Sequence, residues 1–310
     1  MDAAGAAAGF CLEDYEGGAP RWCPGCGDLA VLNALQRYVR DEQLPPEKIA
    51  VISGIGCSSR LPHYVKAYGF HGLHGRAFPV ACGVRSRRPD LHIFVATGDG
   101  DCCAIGTAHW IHAIRYNMNM TIMLLDNNIY GLTKMQSSPT TGKGHYSNTH
   151  PGGAPLTPIN PLMTTLSITN ASFVAQTVDW NPPHLYATLA AAHKHRGTSF
   201  VRVLQRCPHF MSGYFDEMQK DPMLVRLLTH DKGIAIDDAV KKAFPNRAEH
   251  DPSDLAAALS FAGDPEAHPV GLLYSNEQAE HYDDFTAQGL GTDAKAKVAA
   301  IEKELDRFTI

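Results

Sequence analysis

Five short apolar runs between residues 48 and 205 constrain the fold more than any other feature of this chain. They are KIAVIS (48–53), LHIFVAT (91–97), MTIMLLD (120–126), ASFVAQTV (171–178) and SFVRVLQ (199–205), and each stops at glycine or polar residues. Runs of this length that are apolar throughout read as strands buried on both faces. Between them lie helix formers. DLAVLNALQRYVRDE (28–42) carries an apolar face at Leu29, Leu32, Leu35 and Val39, residues 102–117 read as a helix ending near Asn117, and HLYATLAAAHKHR (184–196) reads as another. Buried strands alternating with helices predict an α/β fold with a doubly wound, mostly parallel sheet. Ligands of such sheets bind outside the carboxyl ends of the strands. The segments GIGCSS, GDGD, NNIYG and RCPHF fall just there, so loops distant in sequence are expected at one site.

The rest of the chain reads differently. Residues 1–20, opening MDAAGAAAGF, have no basic n-region and are expected to be a disordered lead-in rather than a secretory signal. Residues 21–210 hold the α/β pattern. Residues 211–310 are rich in Asp, Glu, Lys and Pro, have few strand-like runs, and end in the amphipathic AKAKVAAIEKELDRF. They are expected to form a C-terminal extension, either solvated or partner-contacting. A net charge of −5 over 310 residues gives no basic footprint for nucleic acid or an anionic membrane, and the longest apolar runs are too short to span a bilayer. Eight cysteines without an export signal point to a reducing, cytoplasmic setting and to metal or redox roles.

The densest chemistry lies in Gly98-Asp99-Gly100, followed after 26 residues by Asn127-Asn128. Glycines at a strand end let the backbone approach a diphosphate closely. Asp99 offers a hard oxygen to a divalent cation, and the next helix turns its N-terminus toward negative charge. One helix and one strand later the chain returns to the same sheet edge, where Asn127 and a nearby carbonyl can add oxygens. Few protein oxygens plus phosphates is how Mg²⁺ is usually held. A tight turn followed by an unrelated Asn pair is the bland alternative, but the two strand ends tie the segments together. The pattern resembles that of thiamine-diphosphate enzymes, and the resemblance implies that Asp99, Asn127 and the carbonyl of Ile129 hold the metal.

A second set is Cys23-x-x-Cys26, Cys57 and Cys207, each in a Gly- or Pro-flanked loop. Four thiolates suit an iron–sulfur cluster or a structural zinc. A thioredoxin-like CxxC is a third reading, although the strand expected before it is missing. An electron acceptor has a use beside a cofactor that generates a carbanion, whereas zinc is redox-inert.

Taken together, WCPGCGD (22–28), GIGCSSR (54–60), HGLHGRAFPVACGV (71–84), GDGD (98–101) and LDNNIYGLTKMQSSPTT (125–141) closely resemble the β subunits of 2-oxoacid:ferredoxin oxidoreductases. The resemblance covers about residues 20–210. It implies a thiamine-diphosphate-binding fold and a 4Fe–4S cluster on Cys23, Cys26, Cys57 and Cys207. It also implies that the cofactor is surrounded by Ile55, Gly56, Cys57 and Ser58, by His74, Gly75, Arg76 and Ala77, and by Gly98, Gly100 and Asp101. Gly131, Leu132, Thr133, Lys134, Met135 and Gln136 complete that set. His74 and Lys134 are the implied catalytic residues, His74 for acid–base or phosphate contact and Lys134 for the substrate carboxylate.

The implied reaction converts a 2-oxoacid and coenzyme A to acyl-CoA and CO₂, with electrons passed to ferredoxin, or runs in reverse. 2-Oxoglutarate is expected over pyruvate, and a non-redox thiamine-diphosphate decarboxylase with structural zinc is the alternative. Only one α/β unit is present, so the Glu that activates the aminopyrimidine is expected from an α subunit. Two departures stand out. Met135 sits where many relatives have Gly, and Cys102-Cys103 follow the GDGD run, where packing within a helix is expected. Cys11 and Cys82 read as structural.

Overall fold

A computed structural model of the chain describes residues 9–287 and 294–308. Eleven strands are formed: β1 Ile49–Ser53, β2 Tyr68–His71, β3 His92–Gly98, β4 Met120–Asp126, β5 Ile129–Tyr130, β6 Gln136–Ser137, β7 Phe173–Val178, β8 Thr198–Leu204, β9 Val225–Thr229, β10 Arg247–Glu249 and β11 His268–Ser275. The principal helices are α1 Asp28–Asp41, α2 Ala77–Arg87, α3 Thr107–Tyr116, α4 Pro161–Leu166 and α5 Pro182–Lys194. After β8 come α6 Asp216–Lys220, α7 Asp238–Ala243, α8 Leu255–Ala262, α9 Tyr282–Ala287 and α10 Ala294–Asp306.

Nine strands form one sheet in the order β10-β9-β11-β7-β8-β4-β3-β1-β2. The six from β7 to β2 run parallel. The doubly wound expectation holds because side chains alternate along each strand. Ala50 and Ile52 of β1 join Phe78, Trp110 and Ile114 on one face. Ile49 and Val51 join Leu35, Leu185 and Leu189 on the other. Burying each of the valine, leucine, isoleucine and phenylalanine side chains among them contributes about 1.5–3 kcal/mol. Trp110, fully buried and stacked 5.6 Å from Phe200 of β8, anchors α3 to the sheet. No described helix is long and apolar enough to cross a membrane.

Three expectations need correction. Residues 10–18, read as disordered, are packed. Tyr15 is wholly buried with its hydroxyl donating to the Leu44 carbonyl, Gln36 donates to the Tyr15 carbonyl, and Glu16 bridges Val65. Residues 1–8 of the lead-in lie outside the described residues. The 102–117 helix is broken. Asp101–Ile105 forms a π-helical turn with Ala104 at ψ −105°, and α3 starts only at Thr107. Such π-turns often accompany functional sites.

The third correction concerns the C-terminal part. Within the stretch expected to have few strand-like runs, HPVGLLY (268–274) is the interior strand β11, antiparallel to β7 and parallel to β9. Residues 211–275 therefore continue the sheet instead of standing beside it. α10 follows the expected amphipathic helix and buries no residue.

The seam where this part joins carries a pH sensitivity. His184 on α5 is wholly buried, its Nδ1 2.8 Å from the Thr177 hydroxyl on β7. Burial, and secondarily the nearby His230, pushes its pKa down to about 4 from 6.5. Folding thus favours the neutral ring. This contribution is complete above pH 6.5 and is lost as pH falls through 4. A difference of that size is worth about 3 kcal/mol. Thermal unfolding followed from pH 7.5 to 4 is expected to show falling stability, with a shallower slope in His184→Gln. An identical slope in that variant would refute the assignment. His193 and His195, also lowered to about 4 by burial, act in the same direction, so the slope flattens but does not vanish.

Candidate active site

Three strand ends meet at one edge of the sheet. β1 leads into Gly54–Ser58, β3 into Asp99–Asp101, and β4 into Asn127–Gly131. Asp101, expected to touch the cofactor, is the knot that ties the first two together. Its Oδ1 accepts hydrogen bonds from the backbone N–H groups of Ile55 (3.0 Å) and Gly75 (2.7 Å), and its Oδ2 accepts one from the Thr97 hydroxyl (2.8 Å). His74 Nδ1 lies 2.9 Å from Oδ1, close enough for an ion pair though off the line of a hydrogen bond. A Cβ on Gly54 would stand 2.1 Å from this carboxylate, so the strand must end on glycine there. Gly100 is required for a similar reason. The Tyr130 ring packs where its Cβ would be, 2.1 Å away, and the Tyr130 hydroxyl donates to the Gly100 carbonyl at 3.0 Å.

These loops enclose a cavity of about 420 Å³, within the usual range for small-ligand sites. Asp99, Asn127 and Ile129, the residues expected to hold the metal, are all among its lining. Asp99 is buried, and its carboxyl is pushed up to about 7, first by burial and then by the charge of Asp126. A bound cation reverses that preference by favouring the anion. Asn127 Oδ1 accepts from the Ile129 N–H at 3.2 Å, which fixes the turn that presents the Ile129 carbonyl. A carboxylate, an amide and a carbonyl are hard oxygen donors. With glycines 98 and 100 on the neighbouring turn, they fit Mg²⁺ and a diphosphate.

Cys57 lines the same cavity. The other three cysteines of the expected set gather behind it. Cys23 and Cys26 close a turn by a 3.0 Å bond from the Cys26 N–H to the Cys23 carbonyl, with Gly25 at φ +79° between them. The Gly27 N–H donates to the Arg206 carbonyl, which brings the CxxC loop onto the Cys207 loop. A Cβ on Gly131 would lie 3.5 Å from Cys57 Sγ and 3.9 Å from Cys207 Sγ, so that glycine backs both thiols. The Trp22 indole N–H donates to the Cys57 carbonyl at 2.7 Å. Burial raises the Cys57 thiol to about 12 and raises Cys26 further. Coordinated metal reverses that too, since a ligating thiol loses its proton outright. Among the described residues, no three His, Cys, Asp or Glu side chains stand close enough together to hold a single ion.

Not every expected residue reaches the cavity. Ile55, Gly56, Ser58, His74, Leu132, Thr133 and Gln136 line it. Gly75 and Ala77 are buried beside it, and Arg76 is exposed and turned to His109. Lys134 and Met135 form the outer turn between β5 and β6, at φ 72° and 71°. Neither lines the cavity, and Lys134 is exposed. Left-handed backbone costs a non-glycine residue about 1–2 kcal/mol. Asn148 holds the turn by donating to the carbonyls of both residues. A glycine at position 135 would adopt this conformation without that cost. Cys102 and Cys103 pack in the core, as expected. The sequence reading missed Leu125 and Tyr130 on the cavity wall, as well as Thr140, whose hydroxyl lies 2.8 Å from Asp99 Oδ2.

Residues 54–203 match the family described as thiamine pyrophosphate enzyme, C-terminal TPP binding domain. A 2-oxoglutarate oxidoreductase subunit KorB from Mycobacterium tuberculosis is 47% identical over 201 residues, 65% of this chain and 54% of that relative. The match therefore spans about half of the mycobacterial protein's length. The β subunit of 2-oxoacid:ferredoxin oxidoreductase 2 from Aeropyrum pernix is 35% identical over 270 residues, covering 85% of this chain and 82% of the relative. Among solved structures, a 2-oxoglutarate:ferredoxin oxidoreductase from Magnetococcus marinus, with 2-oxoglutarate, coenzyme A and succinyl-CoA bound, superposes with a TM-score of 0.78 and 36% identity. That match covers 94% of this chain and 96% of the other. A chain with these strand ends and this degree of similarity belongs to the β-subunit family of the 2-oxoacid:ferredoxin oxidoreductases.

Proposed function

We propose that this chain is the cofactor-bearing subunit of an enzyme that converts a 2-oxoacid and coenzyme A to acyl-CoA and CO₂, passing electrons to ferredoxin, or catalyses the reverse. The observation that carries the reading is the shared wall. Asp99, Asn127 and Ile129 line the cavity that Cys57 also lines, so a diphosphate–metal site and a cysteine set adjoin. Bound thiamine diphosphate supplies a carbon nucleophile for the 2-oxo group, and a bound 4Fe–4S cluster accepts electrons singly. The chain's part is placement. Asp99, Asn127 and the Ile129 carbonyl hold Mg²⁺, and the glycines admit the diphosphate. Cys23, Cys26, Cys57 and Cys207 hold the cluster.

His74, which lines the cavity beside Asp101, would serve in acid–base or phosphate contact. Lys134, on the exposed turn between the lining residues Thr133 and Gln136, would meet the carboxylate of an incoming substrate. 2-Oxoglutarate is favoured as that substrate because the mycobacterial relative and the Magnetococcus structure both carry it in their names. Eight free cysteines suit a cytoplasmic setting.

Anaerobically purified protein is expected to carry about four irons per chain, as a Cys₄ cubane requires. Cys23, Cys26, Cys57 or Cys207 changed singly to Ala should lose the iron and the brown absorbance, while Cys102→Ala should keep both. Stoichiometric zinc without iron would instead favour the non-redox decarboxylase reading.

A further inference from the structure

Behind Asp99 lies a buried chain of groups that no motif announces. Thr140, in the loop after β6, is buried, and its carbonyl accepts from Asn128 Nδ2 at 2.7 Å. Its hydroxyl oxygen stands 2.8 Å from Asp99 Oδ2 and 2.8 Å from Asp126 Oδ1, with the Ser138 hydroxyl 3.3 Å away. A threonine has one hydroxyl proton, so it can serve only one of the two carboxylates. Asp126 is already compensated. Arg202 of β8 donates to its Oδ2 through Nε (2.8 Å) and lies 2.7 Å from it through Nη2, and the Asn128 N–H donates to its Oδ1. Arg202 is itself fixed by donating to Gln176 Oε1 on β7, whose amide donates to the Pro269 carbonyl on β11. Asp99 forms no ion pair with a described cation. The hydroxyl proton therefore goes to Asp99.

We propose that Arg202, Asp126 and Thr140 form a positioning chain that pins Asp99 Oδ2 and leaves one carboxylate oxygen for the metal. This rests on the reading of Asp99 as a Mg²⁺ ligand. Its consequence is ion selectivity. Mg²⁺ demands near-ideal octahedral geometry and is served by a one-oxygen carboxylate, whereas Ca²⁺ is larger and readily takes both oxygens of one carboxylate. A carboxylate pinned through one oxygen favours Mg²⁺. One released to rotate loses that preference.

The test uses the full chain with any subunit that co-purifies, stripped of metal by a chelator. Mg²⁺ and Ca²⁺ are titrated separately by calorimetry at saturating thiamine diphosphate. Thr140→Val is expected to weaken Mg²⁺ binding about tenfold, the scale of outer-shell losses. Ca²⁺ binding should be kept or strengthened, so that the Mg²⁺/Ca²⁺ ratio falls. Thr140→Ser, which keeps the hydroxyl, should restore the ratio. Arg202→Met should lower it, because Asp126 then claims the proton. An unchanged ratio in Thr140→Val, or an equal loss for both ions, overturns the proposal. Asp99→Ala separates the two failures. If it binds both ions like the parent, the metal reading of Asp99 has failed. If it loses Mg²⁺ while Thr140→Val keeps the parent ratio, only the positioning chain has failed.

Discussion

Asp99→Ala is expected to weaken Mg²⁺-dependent binding of thiamine diphosphate by more than the roughly 100-fold that loss of an outer-shell partner can reach. The substitution removes the one carboxylate of the proposed metal set, whose other oxygens, from Asn127 and Ile129, are an uncharged amide and carbonyl. The fold is expected to survive. The neighbouring knot is made by Asp101, which ties Ile55, Gly75 and Thr97 together without Asp99. Removing Asp99 also relieves a buried carboxyl that lies close to Asp126, so thermal stability without metal should hold or rise. The measurement is a thermal-shift titration with thiamine diphosphate, with and without Mg²⁺. A Mg²⁺-dependent rise in Tm in the parent and none in the variant is the expected pair. A full rise in the variant would mean that Asp99 does not hold the metal.

The strand ends were legible because each carries its own signal. Apolar runs stop at Gly54, at Gly98 and at Asn127, and those stops set where the cavity forms. Tyr130 and Thr140 were not legible. Their roles depend on the loop after β4 folding back over the GDG turn, and a lone tyrosine or threonine in a loop has no period or spacing to mark it. Lys134 shows the converse. It belongs to a recognisable segment, yet the left-handed turn it shares with Met135 carries it to the rim.

The C-terminal strands hid for a compositional reason. β9 and β11 are short apolar runs separated by 38 residues, Pro- and Asp-bearing, that hold the short helices α7 and α8 and the three-residue β10. Pattern reading weighs such a stretch as solvated. Pairing between Gly271 of β11 and Gln176 of β7 is a contact across 95 residues that no local signal foretells.

The second large effect expected is the failure of the isolated chain to turn over. Among the described residues lining the cavity, the only carboxylates are Asp99, assigned to the metal, and Asp101, engaged by two backbone N–H groups and a hydroxyl. No glutamate is among them, so the described lining offers no group to activate an aminopyrimidine. Leu132 on the cavity lining is 48% exposed, Leu73 next to the lining residue His74 and Ile105 against Gly75 are 74% and 57% exposed, and the edge strand β2 presents Tyr68 and Phe70 at 55% and 49%. Exposed large apolar side chains grouped about one opening mark a surface made for another protein. A subunit seated there would close the cavity and bring the missing glutamate. Loss of a general acid–base group costs about 100-fold or more in rate. The chain alone, reconstituted with iron and thiamine diphosphate, is therefore expected to reduce a one-electron dye with 2-oxoglutarate and coenzyme A at less than about 1% of the rate of the two-subunit assembly. Adding the second subunit should restore the rate, and replacing its activating glutamate by glutamine should abolish the restoration. Full turnover by the lone chain would show that the activating group lies within these 310 residues.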